Sequence, residues 1–273
     1  MTTGFQNLHS HTTYCDGALP PEAMIKAAIE RGYDSIGFSE HSYIPFITEE
    51  YSMSRDTAHE YICEINALKE KYKDQIEIFL GIEQDYFTAG KPEGFDYIIG
   101  AVHHVKTGEH YVTVDAGKKR QKQMVDTYYG GDYYAMAEAY YATIASIVEK
   151  TNADIIGHFD LVTKYNSDSG QFDETHPRYV SAAIGAMEEI LKSRKLFEVN
   201  TGAMFRLNKL EQYPSAFLLK ELNKRGGEVI LSSDSHDAES LCYKFGEMQE
   251  LLRTCGYRYI KRLTKNGFID VKL

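Results

Sequence analysis

The sequence predicts an α/β fold, a barrel of seven parallel strands with helices outside, as a single domain over residues 1–273. Three observations predict it. Short apolar runs alternate with longer helical patterns. The length of 273 residues could hold one large domain or two small ones, and α/β barrels commonly reach it as a single domain. Histidines and carboxylates recur at the ends of the apolar runs, and in a parallel barrel those ends share one face.

The seven runs are "FQNLH" (5–9), "DSIGFS" (34–39), "IEIFLGIE" (76–83), "FDYIIGAVH" (95–103), "ADIIGHF" (153–159), "LFEVNT" (196–201) and "EVILSSD" (228–234). Between and after them stand helix patterns. "PEAMIKAAIERG" is closed by Gly32, and "SRDTAHEYICEINALKEKY" is opened by a Ser/Asp cap region. The others are "DYYAMAEAYYATIASIVEK", "PRYVSAAIGAMEEILKSRK", "PSAFLLKELNKRGG" and "ESLCYKFGEMQELLRTCG". Strands alternating with helices imply crossover connections and hence parallel pairing. Two segments break the rhythm. Residues 105–131 read as an insertion carrying a hairpin or loop over a pocket mouth. The tail holds Asn266-Gly267 between alternating apolar residues, a hairpin signal, and is expected to close or cover part of the domain.

Hydrophobic residues make up 43% and charged residues 26% of the chain, ordinary for a soluble globular protein, and the chain has no apolar run of membrane-spanning length. The first residues do not form a charged-then-apolar leader. Cys15, Cys63, Cys242 and Cys255 show no Cys-x-x-Cys spacing, so a reducing, cytoplasmic setting is expected. A formal charge of −10 argues against nucleic acid or an anionic membrane as partner. It leaves an anionic small molecule open, because bound divalent cations can make one pocket positive.

His9 and His11 are two apart at the end of the first run and can point to the same side of a strand. Asp16 follows. His41 follows the second run, Glu83 ends the third, His103 and His104 end the fourth, and His158 ends the fifth. Asn200 ends the sixth, and Asp234 and His236 follow the seventh. Each residue alone has an ordinary reading as a loop acid, a core histidine or a cap. Together they would be costly to bury without cations to pair them. Nitrogen and carboxylate ligands without thiolates suit Zn, Mn or Fe. A carboxylate such as Glu83 can bridge two ions, and bridged ions can hold a hydroxide and clamp a phosphoryl oxygen, which is a hydrolase design. His103 and His104 are adjacent and point to opposite faces, so one ligand is expected from the pair. His59, His110 and His176 follow no strand end and read as surface residues.

His9-x-His11, Asp16, His41, Glu83, "GAVHH", His158 and "DSH" match, in order and over essentially the whole chain, the polymerase and histidinol phosphatase family of metal-dependent phosphoesterases. Within it, "GHFDLVTKYN" and "FEVNTGA" look most like the monofunctional histidinol-phosphate phosphatases. The resemblance implies a distorted seven-stranded (β/α)7 TIM-like barrel with three divalent transition-metal ions. It assigns His9, His11, Glu83 and Asp234 to one ion, Glu83, His103 and His158 to a second, and Asp16, His41 and His236 to a third. It favours His103 as the ligand and leaves His104 as a substrate or supporting candidate.

The expected reaction is hydrolysis of the small phosphomonoester L-histidinol phosphate, by attack of a metal-bridging hydroxide on phosphorus, as a step of histidine biosynthesis. A phosphatase for nucleotides, sugars or phosphotyrosine is the alternative within the family, and an inactive metal-stabilised binding module the alternative outside catalysis. Arg206, after the sixth strand, and Lys164, after His158, are candidate phosphate-binding cations or else solvated loop charges. Asp160 is either a helix cap or the group that protonates the leaving alkoxide or holds the substrate amine.

Overall fold

The computed structural model describes residues 5–46, 51–88, 90–166 and 170–273. The chain starts with β1 (Gln6–Asn7), α1 (Pro21–Glu30), β2 (Ser35–Phe38), α2 (Arg55–Tyr72), β3 (Glu77–Asp85) and β4 (Tyr97–Ala101). A hairpin of β5 (His104–Thr107) and β6 (His110–Thr113) follows, then α3 (Lys118–Tyr129), α4 (Tyr133–Ile144), α5 (Ile147–Thr151) and β7 (Ile155–Ile156). After a single 3₁₀ turn (Leu161–Thr163) come α6 (Pro177–Leu191), β8 (Leu196–Asn200), α7 (Gly202–Arg206), α8 (Ala216–Lys224) and β9 (Val229–Ser232). The chain ends in α9 (Phe245–Thr254), β10 (Tyr259–Thr264) and β11 (Gly267–Lys272).

Seven strands pair in the parallel order β1-β2-β3-β4-β7-β8-β9. The ring closes beyond the ends of β1 and β9. There Ser10 bridges Ser235, with His11 N donating to Ser235 O at 2.8 Å and Ser235 N to His9 O at 3.0 Å. Further in, the side chain of Asn7 replaces a ladder rung, its Oδ1 accepting from Ser233 N at 2.9 Å. This substitution of side chain for backbone is the distortion, and the closing segment carries the residues of interest into the ring. Seven parallel strands in a nearly closed barrel with helices outside make this a distorted (β/α)7 barrel.

The helices follow elementary rules. Pro21 opens α1, where its missing N–H costs nothing, and the chain leaves through Gly32 at φ 74°. Ser54 caps α2 by accepting from Thr57 N at 3.1 Å, and Tyr61, Ile65, Leu68 and Tyr72 form its buried stripe.

Several expectations need correction. The pattern 132–150 folds as two helices, because Ser146 leaves helical geometry and its hydroxyl donates to Thr143 O at 3.2 Å. The pattern 239–256 becomes helical only at Phe245, since Cys242 and Lys244 have φ of 52° and 55°. The insertion 105–131 contains the expected hairpin and also α3, of which only Gln121 and Val125 are buried. Such a faint apolar stripe explains why periodicity missed it. The five residues of α7 are too few to show a period.

Inside the barrel, Leu8, Phe79, Tyr97, Ile99, Ile155, Leu196 and Ile230 pack with Leu263 of β10. The β10–β11 hairpin closes the end where the strands begin: Gln6 Nε2 donates to Leu263 O at 2.9 Å and Leu263 N to Gln6 Oε1 at 2.8 Å. Tyr97 lies across the interior with its hydroxyl between the carbonyls of Leu8 and Phe38, the latter at 3.0 Å. Gly81 makes room for its ring, since a Cβ there would lie 2.1 Å from Tyr97 Cζ. No helix among the described residues is long and apolar enough to cross a membrane.

A methyl group at Gly81 would drive Tyr97 off both carbonyls. Gly81→Ala should therefore lose about 1–3 kcal/mol of stability by overpacking, read as a lower denaturant midpoint at unchanged slope. A wild-type midpoint would show that Tyr97 is free to move.

Candidate metal centre

The longest strand is β3, and it carries Glu83 near its end. Backbone bonds lock the residue on one side: Glu83 N donates to Glu40 O at 3.1 Å and Ser42 N to Glu83 O at 3.0 Å. Its carboxylate is inaccessible to solvent yet meets five imidazoles. Oε1 lies 2.9 Å from His158 Nε2 and 3.4 Å from His103 Nε2. Oε2 lies 2.7 Å from His41 Nδ1, 3.4 Å from His9 Nε2 and 3.6 Å from His11 Nε2.

Asp234 completes the first group, with Oδ1 3.3 Å from His11 Nε2 and 3.8 Å from His9 Nε2. It is reached through a left-handed backbone, φ 46°, a conformation that non-glycine residues adopt at a cost. Gly202 permits this packing, as a Cβ there would lie 2.9 Å from Asp234 Cβ. Around the rim, Asp16 Oδ1 lies 3.2 Å from His236 Nε2 and 3.7 Å from His41 Nε2.

Divalent ions fit this arrangement. His9 Nε2, His11 Nε2 and Glu83 Oε2 are buried without a hydrogen-bond partner among the described residues. Two ligands on a tetrahedral ion with bonds of about 2.0–2.1 Å stand about 3.3 Å apart. The separations across His9, His11, Glu83 and Asp234 run from 3.3 to 3.8 Å. Groups able to hold a cation also form from His11, Asp16, His41 and His236, and from His41, Glu83 and His103.

Electrostatics follow the geometry. Burial opposes charge on Glu83, but His41, His9 and His103 hold it well below the usual carboxylate range. Asp234 is likewise buried and held well below by Arg206 and His9. Burial also disfavours a charged His103, yet Glu83 and Asp85 raise it to about 10. His11 goes the other way, lowered to about 3 by burial and by the neighbouring His236 and His41. Protons on the raised rings and divalent cations answer the same negative field.

Of the adjacent pair, His103 faces Glu83, and its Nδ1 lies 3.1 Å from Asp85 Oδ2. His104 turns away, its ring edge-on to Phe46 at 5.2 Å, beside an aromatic group that includes Phe87 and Tyr111. Arg206 is not a solvated loop charge: its guanidinium donates to Asp234 Oδ2 at 2.9 Å and reaches His236 Nδ1 at 2.7 Å. Lys164 is largely covered, 3.5 Å from Asp115 Oδ2. Asp160 precedes the 3₁₀ turn without capping it through its side chain. Its Oδ2 instead accepts from Ser215 N at 2.9 Å, while Oδ1 has no partner among the described residues. Burial raises its carboxyl to about 7, against the pull of Lys209.

Sequence reasoning missed Glu198, Asp85, Glu40 and Asp115. Glu198 Oε2 is 2.8 Å from His9 Nδ1. Glu40 accepts from Thr12 N at 3.0 Å and from the Cys15 thiol at 2.8 Å, and Cys15 Sγ is 3.4 Å from His11 Nδ1. Asp115 pairs with Lys164 at the edge of the site. A signal for two of them was present: Glu198 is two before Asn200 and Asp85 two after Glu83, spacings that share a strand face.

The model of the PHP domain matches residues 7–202. A histidinol-phosphatase of Bacillus subtilis is 25% identical over 260 residues, spanning 87% of this chain and 95% of its own length. One from Lactococcus lactis is 26% identical over 263 residues, spanning 92% and 90%. A crystal structure of histidinol phosphate phosphatase from Lactococcus lactis, complexed with zinc, L-histidinol and phosphate, superposes with a TM-score of 0.75 at 21% identity, covering 98% of this chain and 99% of that one. With its family model matched over residues 7–202, on a (β/α)7 barrel whose strand ends converge on Glu83, the chain belongs to the PHP domain family.

Proposed function

We propose that this protein is a metal-dependent phosphomonoesterase, a histidinol-phosphatase that hydrolyses L-histidinol phosphate to L-histidinol and phosphate in histidine biosynthesis. The observation that carries the reading is Glu83, a fully buried carboxylate whose two oxygens face separate sets of imidazole nitrogens. The choice of substrate is supported by relatives of matching length that are named histidinol-phosphatases.

We assign His9, His11, Glu83 and Asp234 to one divalent ion, Glu83, His103 and His158 to a second, and Asp16, His41 and His236 to a third, with Zn, Mn or Fe suited to the donors. When bound, such ions supply positive charge to the phosphoryl oxygens and the acidity that turns water into a nucleophile at neutral pH. The chain's own groups do the rest. Arg206, held by Asp234 yet partly exposed, offers its remaining N–H groups to phosphate oxygens, and Lys164 adds a second positive charge. As the bond from phosphorus to the ester oxygen breaks, Asp160 gives that oxygen its proton, for which burial has prepared it. His104, beside Phe46, contacts the organic part of the substrate.

Phosphate release from a panel of histidinol phosphate, phosphotyrosine, nucleotides and sugar phosphates tests the assignment, with histidinol phosphate expected to lead. Equal turnover of the whole panel would reject it.

Fully active protein should carry close to three metal ions per chain by elemental analysis, and chelation should stop turnover until Mn²⁺ or Zn²⁺ is returned. At most one ion in fully active protein rejects the three-ion assignment. Glu83→Gln should lose metal and nearly all activity together, whereas Asp16→Asn should empty mainly the third site. His103→Ala should lose metal where His104→Ala keeps it; the reverse pattern would move the ligand by one residue.

Arg206→Ala should lower kcat/KM on histidinol phosphate by roughly ten- to a thousandfold, or about 1.4–4 kcal/mol of transition-state stabilisation. Arg206→Lys should recover only part of this, because an ammonium cannot reproduce the fork. Metal analysis accompanies both variants, since Arg206 also pairs with Asp234. If Arg206→Ala keeps wild-type kinetics while Lys164→Ala is crippled, Lys164 is the phosphate anchor.

A further inference from the structure

Glu198 sits in the middle of β8 with its side chain wholly buried. Four donors converge on its carboxylate. Oε1 accepts from His158 N at 2.6 Å and from Asn200 Nδ2 at 2.8 Å. Oε2 accepts from Ser232 Oγ at 2.6 Å and faces His9 Nδ1 at 2.8 Å. A carboxylate has about four lone-pair sites, so every one is used. The donors come from the end of β1, the end of β7, β8 itself and β9. Through Asn200, whose Nδ2 also lies 3.4 Å from Asp234 Oδ2, the same group reaches a further residue of the site.

We infer that Glu198 is a positioning residue: it fixes His9 with the proton on Nδ1, so that the lone pair on Nε2 faces Glu83 and Asp234, and it anchors the backbone of His158 in the same bond set. The inference rests on reading His9 as a metal ligand. In its support, His9 Nε2 is the ring atom left without a hydrogen-bond partner among the described residues, while Nδ1 is committed to the carboxylate. A ring with one nitrogen held as a donor presents the other as a ligand. His158 needs its anchor because its φ of 20° lies outside the usual helical and extended regions.

The geometry also says what a near-isosteric change would do. At Oε1 both partners are fixed donors: His158 N is a backbone amide, and Asn200 cannot flip because its Oδ1 already accepts from Gly202 N at 2.8 Å. At Oε2 the Ser232 hydroxyl and the His9 ring can each accept instead. In Glu198→Gln the amide oxygen must therefore take the Oε1 place, and the NH₂ must point at His9 Nδ1. That orientation rewards the tautomer with its proton on Nε2, which cannot bind a cation there.

The test uses zinc-loaded protein labelled with ¹⁵N at histidine. In the wild type, the His9 resonances should report a proton on Nδ1 and metal on Nε2. Glu198→Gln should keep its circular dichroism and melting close to wild type, yet bind zinc about 10–100-fold more weakly in chelator competition. It should also lose the Nδ1–H signal. Ser232→Ala removes one donor from the same oxygen without reversing any polarity, and its zinc affinity should stay within a few-fold of wild type. A wild-type His9 protonated on Nε2, or a Glu198→Gln variant that holds zinc as tightly as wild type with Nδ1 still protonated, overturns the proposal. If Glu198→Gln does not fold, the wild-type tautomer and Ser232→Ala decide alone: Nε2–H in the first, or zinc loss in the second equal to that expected of Glu198→Gln, overturns it. Wild-type protein that binds zinc without perturbing His9 overturns the reading of His9 as a ligand, a result distinct from failure of Glu198.

Discussion

Everything at the open end of this barrel is organised by the need to keep Glu83 ionised where water cannot reach it. Taking a carboxylate out of water costs several kcal/mol even after the protein relaxes, and only nearby positive charge offsets it. The chain answers with imidazoles from separate strand ends, His9 and His11 after β1, His41 after β2, His103 after β4 and His158 after β7. A parallel barrel suits this demand, because its crossover connections bring every strand end to the same rim. Divalent cations are a compact answer to the same field, which is why the site chemistry and the fold cannot be separated.

The second constraint is precision, and it explains where the backbone departs from regularity. Asp234 and His158 both have positive φ, and each is held from several sides. Gly202, without a Cβ, lets Asp234 pack this closely, and the Glu198 carboxylate grips the His158 amide. Local strain of this kind persists only where the surroundings over-determine it. Behind the residues that face the centre stands an outer set of carboxylates, Glu198 at His9 and Asp85 at His103, with Glu40 reaching His11 through Cys15. Each leaves the far side of the ring turned inward.

Seven parallel strands and the polar residues that follow them, from His9 to His236, were legible in the sequence because they depend on short-range signals: an apolar run, then a polar residue of distinctive chemistry. The C-terminal hairpin was legible through Asn266-Gly267 for the same reason. What escaped notice depends on tertiary context. The start of α9 is set by left-handed residues at Cys242 and Lys244, one of them tied to Ser233 through the Cys242 amide at 3.1 Å. The helix α3 shows little apolar stripe because it rests on the body through few residues. Glu198 was passed over because a lone acid inside "LFEVN" looks like an exposed strand position, and only the closed ring shows that this face is the inside. Asn200 on that face was noticed, and the same spacing rule applied one step back would have reached Glu198.

If, as proposed, the substrate is an anionic phosphoester, an acidic chain also has to arrange where its positive charge sits. With a formal charge of −10, long-range attraction works against the substrate, so recognition must be local. Arg206 and Lys164 are the two cations proposed for this. Arg206 is braced by Asp234 and His236, and Lys164 by Asp115, so neither long side chain must be immobilised from solution when an anion arrives. Bracing by carboxylates has an opposite effect as well, since each ion pair spends part of the positive field that a phosphate would feel. The balance favours binding only if Asp234 shares its charge with a cation on its other side, where His9 and His11 stand. On the proposed assignment, anion recognition by Arg206 and cation binding at His9, His11 and Asp234 would be two sides of one carboxylate, and a change to either would be felt by the other.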